Sequence, residues 1–198
     1  MRMHDYPLYP LFSPPYRTKD LKSMKKKAAR EAFTWFVAES PKRIGLLLEG
    51  VERDTGFRPD HTEDSLVSIW RWAIPYFTPR NTPPCNIKLE DTGIPLSASN
   101  EGLHIVGLCL TFDIGYYLAE MFMQRSPQVK WMLWERKTWY PNEAVLSGIY
   151  SIPVSPRHIV QLLALDVLNG NSDERRLLKY FCQTTQDLKS PAKTPETL

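Results

Sequence analysis

Cysteine and glycine are both scarce in this chain of 198 residues, which has 3 Cys and 9 Gly but 17 Pro. Cys85, Cys109 and Cys182 form no CxxC pair and have no histidine at ligand spacing. The sequence therefore argues against a disulfide framework and a structural zinc site, and it favours a reducing compartment. The excess of proline predicts stiff loops and sharply ended helices rather than hinges.

Long apolar runs and recognised catalytic motifs are missing as well. No run approaches ~18 apolar residues, so we expect no membrane span, and the first residues lack the apolar region of a secretory signal. These absences predict a cytoplasmic protein. His4, His61, His104 and His158 are isolated, with no HExxH or HxH, and there is no P-loop, GxSxG or GxGxxG. We expect no metal and no cofactor, although an enzyme whose site assembles from distant residues stays open.

What the chain does contain is typical of a globular protein. Hydrophobic residues make up 42% and charged residues 24%, with six Trp, nine Tyr and eight Phe as large anchors for a core. The net charge of +3 is unevenly spread. Residues 1–30 carry eight Lys and Arg against two Asp and Glu, so the rest of the chain sums to −3. Basicity is therefore local to the N-terminal region.

Hydrophobic periodicity predicts a predominantly helical α+β fold. A central helix is expected over residues 103–125, and strands over 129–136 and 145–150 should pair as a small antiparallel sheet. Five or six helices should pack around these elements. Gly115 and Ala119 would let another element approach the central helix closely. We expect a Pro-rich extended arm over 1–18, a single globular domain over 19–183 and a disordered tail over 184–198.

Two Ser-Pro pairs predict helix starts. The first, Ser40-Pro41, should separate a helix over residues 20–38 from a second helix with an apolar stripe. The second pair, Ser155-Pro156, repeats the same device before another apolar stripe.

A polar stripe on the central helix is the candidate catalytic feature. Asp113, Tyr117 and Glu120 lie at spacings of four and three residues, opposite the apolar face. One hypothesis makes the two acids a pair in a cleft, with Tyr117 as a proton donor. The alternative is a solvated face, or polar groups that tie the helix to neighbouring loops.

A basic cluster at the start of the first helix is the candidate nucleic-acid site. It comprises Lys22, Lys25, Lys26, Lys27 and Arg30. Contact with a nucleic acid is one interpretation. A solvated helix face is the other, because the rest of the chain is slightly acidic.

Aromatic and loop residues are the candidate partner contacts. Trp139 and Tyr140 fall in a turn between the strands, where exposed aromatic anchors would suit a protein interface. Residues 78–102 are predicted to form a long Pro-rich loop, with Arg80, Glu90 and Asp91 as its candidate contacts. Trp131 and Trp134 fit core packing better, since strand alternation turns one of them inward.

Four segments together resemble a group of small uncharacterised bacterial proteins. The segments are FTWFVAESPKRIGLLLEGV, EDSLVSIWRWAIPYF, FDIGYYLAEMFMQRSPQVKWMLW and AVLSGIY, which cover roughly residues 33–150. Proteins of this size and plan are similar to the immunity partners of bacterial toxins. The resemblance implies a non-enzymatic protein-binding module that acts by steric occlusion of a bacterial partner. An enzyme and a nucleic-acid adaptor are the alternatives.

Overall fold

The α1 helix dominates the N-terminal half of the chain. The computed structural model describes residues 9–16, 18–77, 103, 105–136, 141–171 and 173–189. A short 3-10 helix (Thr18–Ser23) leads into α1 (Lys26–Thr55), followed by α2 (Glu63–Phe77) and α3 (Ile105–Arg125). Strands β1 (Lys130–Leu133) and β2 (Ala144–Ser147) come next, and α4 (Pro156–Leu168) and α5 (Arg176–Lys189) complete the described part. The prediction of a predominantly helical α+β fold is confirmed.

Helix α3 forms the centre of the core. Nearly all of its residues from Ile105 to Phe122 are buried, and α1, α2, α4 and α5 all contact it. Among the described helices, α3 is long and apolar enough to cross a membrane, but 89% of its apolar window is buried inside the fold. Its composition is therefore explained by packing against the other helices.

Close packing of α4 on α3 depends on a glycine, as the sequence predicted. A Cβ added at Gly115 would lie 2.9 Å from the backbone nitrogen of Arg157 and 3.0 Å from its Cα. The N-terminus of α4 therefore lies directly on the α3 backbone. Ser155 caps α4 by accepting a hydrogen bond from the His158 N–H, with Pro156 in the first turn.

The small sheet is an antiparallel hairpin. Its register pairs Lys130 with Ser147 and Leu133 with Ala144. Trp131 packs edge-on against Phe36 of α1 and Tyr116 of α3, with ring centroids 5.6 Å and 6.2 Å away. The hairpin is thereby held against both helices.

The prediction of two helices around Ser40-Pro41 is wrong, because α1 continues through both residues. An interior proline removes a backbone hydrogen bond and costs about 3 kcal/mol. Contacts with α3 before the proline offset that cost. Phe36 packs on Tyr116 with centroids 4.5 Å apart, and the Tyr116 hydroxyl donates to the Phe36 carbonyl at 2.9 Å, one turn before the proline.

Residues 9–16, the described part of the predicted arm, form no helix or strand, and Tyr9 and Phe12 among them are buried in the core. At the other end, the predicted disordered tail is wrong for residues 184–189, because α5 continues to Lys189. Thr184 is buried, and its Oγ1 lies 3.1 Å from the Tyr150 hydroxyl. Residues 190–198 lie outside the described residues.

Candidate functional site

Asp113, the first acid of the polar stripe, is fully buried in an ion pair with Arg43. Arg43 lies on α1, on the same face as Leu47 and Val51. Its Nε donates to Asp113 Oδ1 at 2.7 Å and its Nη2 to Oδ2 at 2.5 Å. This is the bidentate geometry in which a planar guanidinium matches a carboxylate.

The same pair fastens the N-terminal segment to the core. The Tyr9 hydroxyl donates to Asp113 Oδ2 at 2.6 Å. Arg43 also donates to the carbonyls of Pro10 and Leu11, at 2.9 and 3.3 Å. We call Tyr9, Arg43 and Asp113 the clasp, because they join three parts of the chain.

The electrostatics of the clasp follow from its burial. Burial raises the pKa of the Asp113 carboxyl, and the hydrogen bonds from Arg43 and Tyr9 counter that rise by stabilising the charged form. Burial, reinforced by the Asp113 charge, raises the pKa of Tyr9 well above its ordinary value, so the phenol stays a donor. Burial lowers the pKa of Arg43, but the pairing with Asp113 outweighs this and leaves it raised. The three groups therefore satisfy one another's charges and hydrogen bonds, and they join the N-terminal segment and α1 to α3.

Glu120 and Tyr117, the other members of the stripe, belong to a separate cluster around His61. The Tyr117 hydroxyl accepts a hydrogen bond from the His61 backbone N–H at 2.9 Å, and the two rings stack 4.8 Å apart. Glu120 Oε2 lies 3.3 Å from His61 Nε2, and its side chain is 38% exposed. Burial raises the pKa of Tyr117. Asp113 and Glu120 therefore serve different contacts, and the structure does not pair them as the catalytic hypothesis requires.

A cleft lined by residues of α1, α3, β2 and the start of α4 is too small for an organic substrate. Its volume is about 30 Å³, room for one or two water molecules. Arg157 and Glu143 lie in its wall and pair with each other, with Nη2 and Oε2 3.2 Å apart. Arg157 also lies 5.1 Å from the centre of the Phe112 ring. Burial, with the Glu143 charge, raises the pKa of Tyr16 at this cleft.

The predicted basic cluster is exposed along the start of α1. Lys26 and Arg30 reach the exposed Glu135 at 3.6 and 3.4 Å. No ion pair connects the other three cations, Lys22, Lys25 and Lys27, to any residue that the structure describes.

An open groove of about 720 Å³ runs along the same face of α1. We call it the α1 groove. Trp35 is half-buried in it, while Thr34 and Ala38 are exposed. Its lining residues, among those that the structure describes, are Lys26, Lys27, Arg30, Glu31, Thr34, Trp35 and Ala38.

The remaining predicted contacts lie outside the described residues. They are Arg80, Glu90, Asp91, Trp139 and Tyr140, and they stay predictions. Within the described ranges, no group of three His, Cys, Asp or Glu residues could hold a metal ion.

Arg43 and His61 are the site residues that sequence reasoning missed. Arg43 interrupts an apolar helix stripe, and Asp113 lies in a nearly continuous apolar helix. An acid and a base that both lie on core faces are expected to meet, because an unpaired buried charge is costly. That signal was present for Arg43, whereas His61 offers no comparable signal.

No protein-family model matches the chain, and neither a curated protein nor a solved structure shows significant similarity to it.

Proposed function

We propose that this protein is a non-enzymatic binding module for another protein, acting by steric occlusion as an immunity or inhibitor protein does. One contrast carries the proposal. The cleft lined by Phe112, Glu143 and Arg157 has room only for water, whereas the α1 groove is open and lies on the outer surface. A shallow exposed groove suits contact with a macromolecule better than chemistry on a sequestered substrate.

The rigidity of α1 supports the same proposal. The clasp and the contact between Phe36 and Tyr116 fix the helix on α3 near its middle. A surface that is already ordered loses little conformational entropy on binding. An occluding protein benefits from this, because less of its binding free energy is lost in ordering the surface that covers the partner.

Nucleic-acid binding is the second candidate, favoured by the exposed Lys22, Lys25 and Lys27. It would place phosphates along the start of α1, and its affinity would fall steeply with salt. The enzyme alternative has no comparable support, since Asp113 is paired with Arg43 and separated from Glu120 in its contacts.

The test is affinity capture with the full chain from cells that express it, with and without nuclease treatment. A retained protein is then purified and mixed with the chain. We expect a stoichiometric complex by size-exclusion chromatography with light scattering, and loss of the partner's own activity. Retention that disappears after nuclease treatment would instead support the nucleic-acid candidate. A complex that leaves the partner fully active would overturn occlusion.

A further inference from the structure

The described lining of the α1 groove is one exposed face of a single helix. Its lining residues lie at positions 26–27, 30–31, 34–35 and 38, which is one helical face. At a rise of 1.5 Å per residue this face is about 18 Å long, or roughly three turns. A partner segment of similar length would lie along it.

One end of the groove offers a fixed apolar wall. Trp35 packs edge-on against Tyr16 with centroids 5.7 Å apart, and it contacts Phe12 at 5.8 Å. The indole is therefore held in place, while its half-buried remainder faces the groove. Together with Ala38 it can bury an aliphatic or aromatic side chain, which is how aromatic anchors contribute most at interfaces.

The other end of the groove is positively charged. Lys26, Lys27 and Arg30 line it, and the exposed Lys22 and Lys25 precede them in the chain. The contacts of Lys26 and Arg30 with Glu135 are long and involve exposed side chains, so they contribute little and are easily exchanged for a partner's carboxylates. The chain beyond residue 30 carries net −3, so this face is a local positive patch beside a slightly acidic remainder of the chain.

One observation favours a protein partner over a nucleic acid. Glu31 lies inside the groove, where a continuous phosphate backbone would be repelled, whereas a segment with spaced carboxylates can place an uncharged side chain beside it. A segment with separate acidic and apolar side chains fits the mixed lining better.

We infer that the α1 groove binds an acidic segment of a partner protein, with carboxylates on Lys26, Lys27 and Arg30 and an apolar side chain beside Trp35. The inference rests on the proposed protein-binding function and names the chemistry of the partner. It is an interaction of complementary charge, so we expect it to weaken with salt.

The direct test uses a synthetic amphipathic helical peptide of about 18 residues, with glutamates on one face and leucines on the other. Fluorescence anisotropy measures its affinity for the full chain. A peptide with lysine at every glutamate position, a scrambled acidic peptide and a single-stranded RNA serve as alternative ligands. We expect the acidic amphipathic peptide to bind most tightly, and the lysine peptide not to bind.

The double charge reversal Lys27→Glu with Arg30→Glu should weaken binding of the acidic peptide by about tenfold or more, since two attractions become repulsions. Lys42→Glu is the matched control, because Lys42 is exposed on the same helix about 20 Å from the basic end. The control should keep the wild-type affinity. Circular dichroism melting checks that both variants fold, as expected for exposed substitutions.

Equal binding by the double variant, or tighter binding of the scrambled peptide or the RNA, would overturn the groove assignment. The captured partner of the previous section separates this failure from a failure of the proposed function. If the double reversal leaves the partner complex intact, the groove assignment is wrong, but the proposed protein-binding function is not contradicted. Peptide binding lost on reversal, in a chain that forms no partner complex, supports the groove chemistry and contradicts the occlusion proposal.

Discussion

The two halves of α1, before and after Pro41, both carry arginine, but its environment differs between them. Arg30 in the first half is exposed, with a 3.4 Å contact to Glu135. Arg43 in the second half is buried and makes a bidentate pair with Asp113. One cation faces solvent, while the other has its strong contacts filled from within the chain.

This contrast shows that burial decides which charged residues of this protein are structural. A buried ion pair is weak evidence for net stability, since desolvation offsets its attraction, but breaking it leaves an uncompensated charge. An exposed pair loses little when one partner is removed. The sequence alone therefore does not show which charged residues are buried and structural and which are exposed.

The largest effect should come from breaking the clasp. Asp113→Ala leaves Arg43 buried without its counter-charge, and we expect the free energy of unfolding to fall by about 3–5 kcal/mol. Urea denaturation followed by circular dichroism measures it. Glu120→Gln, on the same helix but partly exposed, is the control and should cost about 0.5 kcal/mol or less.

A replacement of both partners sharpens the same point. Arg43→Met with Asp113→Leu removes both buried charges together, so it should recover much of the stability that Asp113→Ala loses. A double variant no more stable than the single one would show that the carbonyl contacts of Arg43 to Pro10 and Leu11, rather than charge pairing, dominate at this position.

A smaller loss is expected when only the third member of the clasp is altered. Tyr9→Phe keeps the ring but removes the hydroxyl that donates to Asp113 at 2.6 Å. Hydrogen bonds to charged groups contribute about 1.5–3 kcal/mol, and we expect a loss in that range. Hydrogen exchange should show faster opening of residues 9–16 than of α3, because the segment would then depend on Arg43 and packing. Uniform exchange across both regions would contradict this order.

Hydrophobic periodicity in the sequence predicted most of the fold but few contacts of the candidate site. Apolar stripes placed α3 and both strands to within a few residues, because burial imposes a regular spacing. Pro41 misled the prediction, since its local preference for a helix start was overridden by packing on α3. The clasp depends on contacts between residues distant in sequence, such as Tyr9 and Asp113, and spacing along one helix carries no information about those.

His158 follows Arg157, which lines the cleft. Unlike the Arg43 guanidinium, its imidazole can lose its charge, so it shows how burial affects a group that titrates. Burial, then the Arg157 charge, lowers the pKa of His158, while Glu143 and Gln161 oppose the shift. The unfolded chain therefore binds a proton more readily than the folded one. The stability from the neutral imidazole is fully present above pH ~6.5 and is lost as the pH falls toward the folded-state pKa.

We expect the unfolding free energy to fall more steeply between pH 7 and 5.5 in the wild type than in His158→Gln. The difference should be at most about 1.4 kcal/mol per pH unit, the limit for one proton. Urea denaturation at several pH values measures it, and an NMR titration of the imidazole gives the folded-state pKa directly. Parallel pH profiles for the two proteins would show that His158 does not titrate differently on folding.

The smallest effect on stability should come from the exposed half of α1. Arg30→Ala removes the 3.4 Å contact with Glu135, but both side chains are about half exposed or more, so solvent screens the pair. We expect the free energy of unfolding to change by less than about 0.5 kcal/mol, while affinity for the acidic amphipathic peptide falls measurably. The same variant thus distinguishes a contribution of the cation to stability from a contribution to peptide binding. A loss of stability comparable to that of Asp113→Ala would mean that Arg30 is a structural residue, and the contrast between the two halves of α1 would fail.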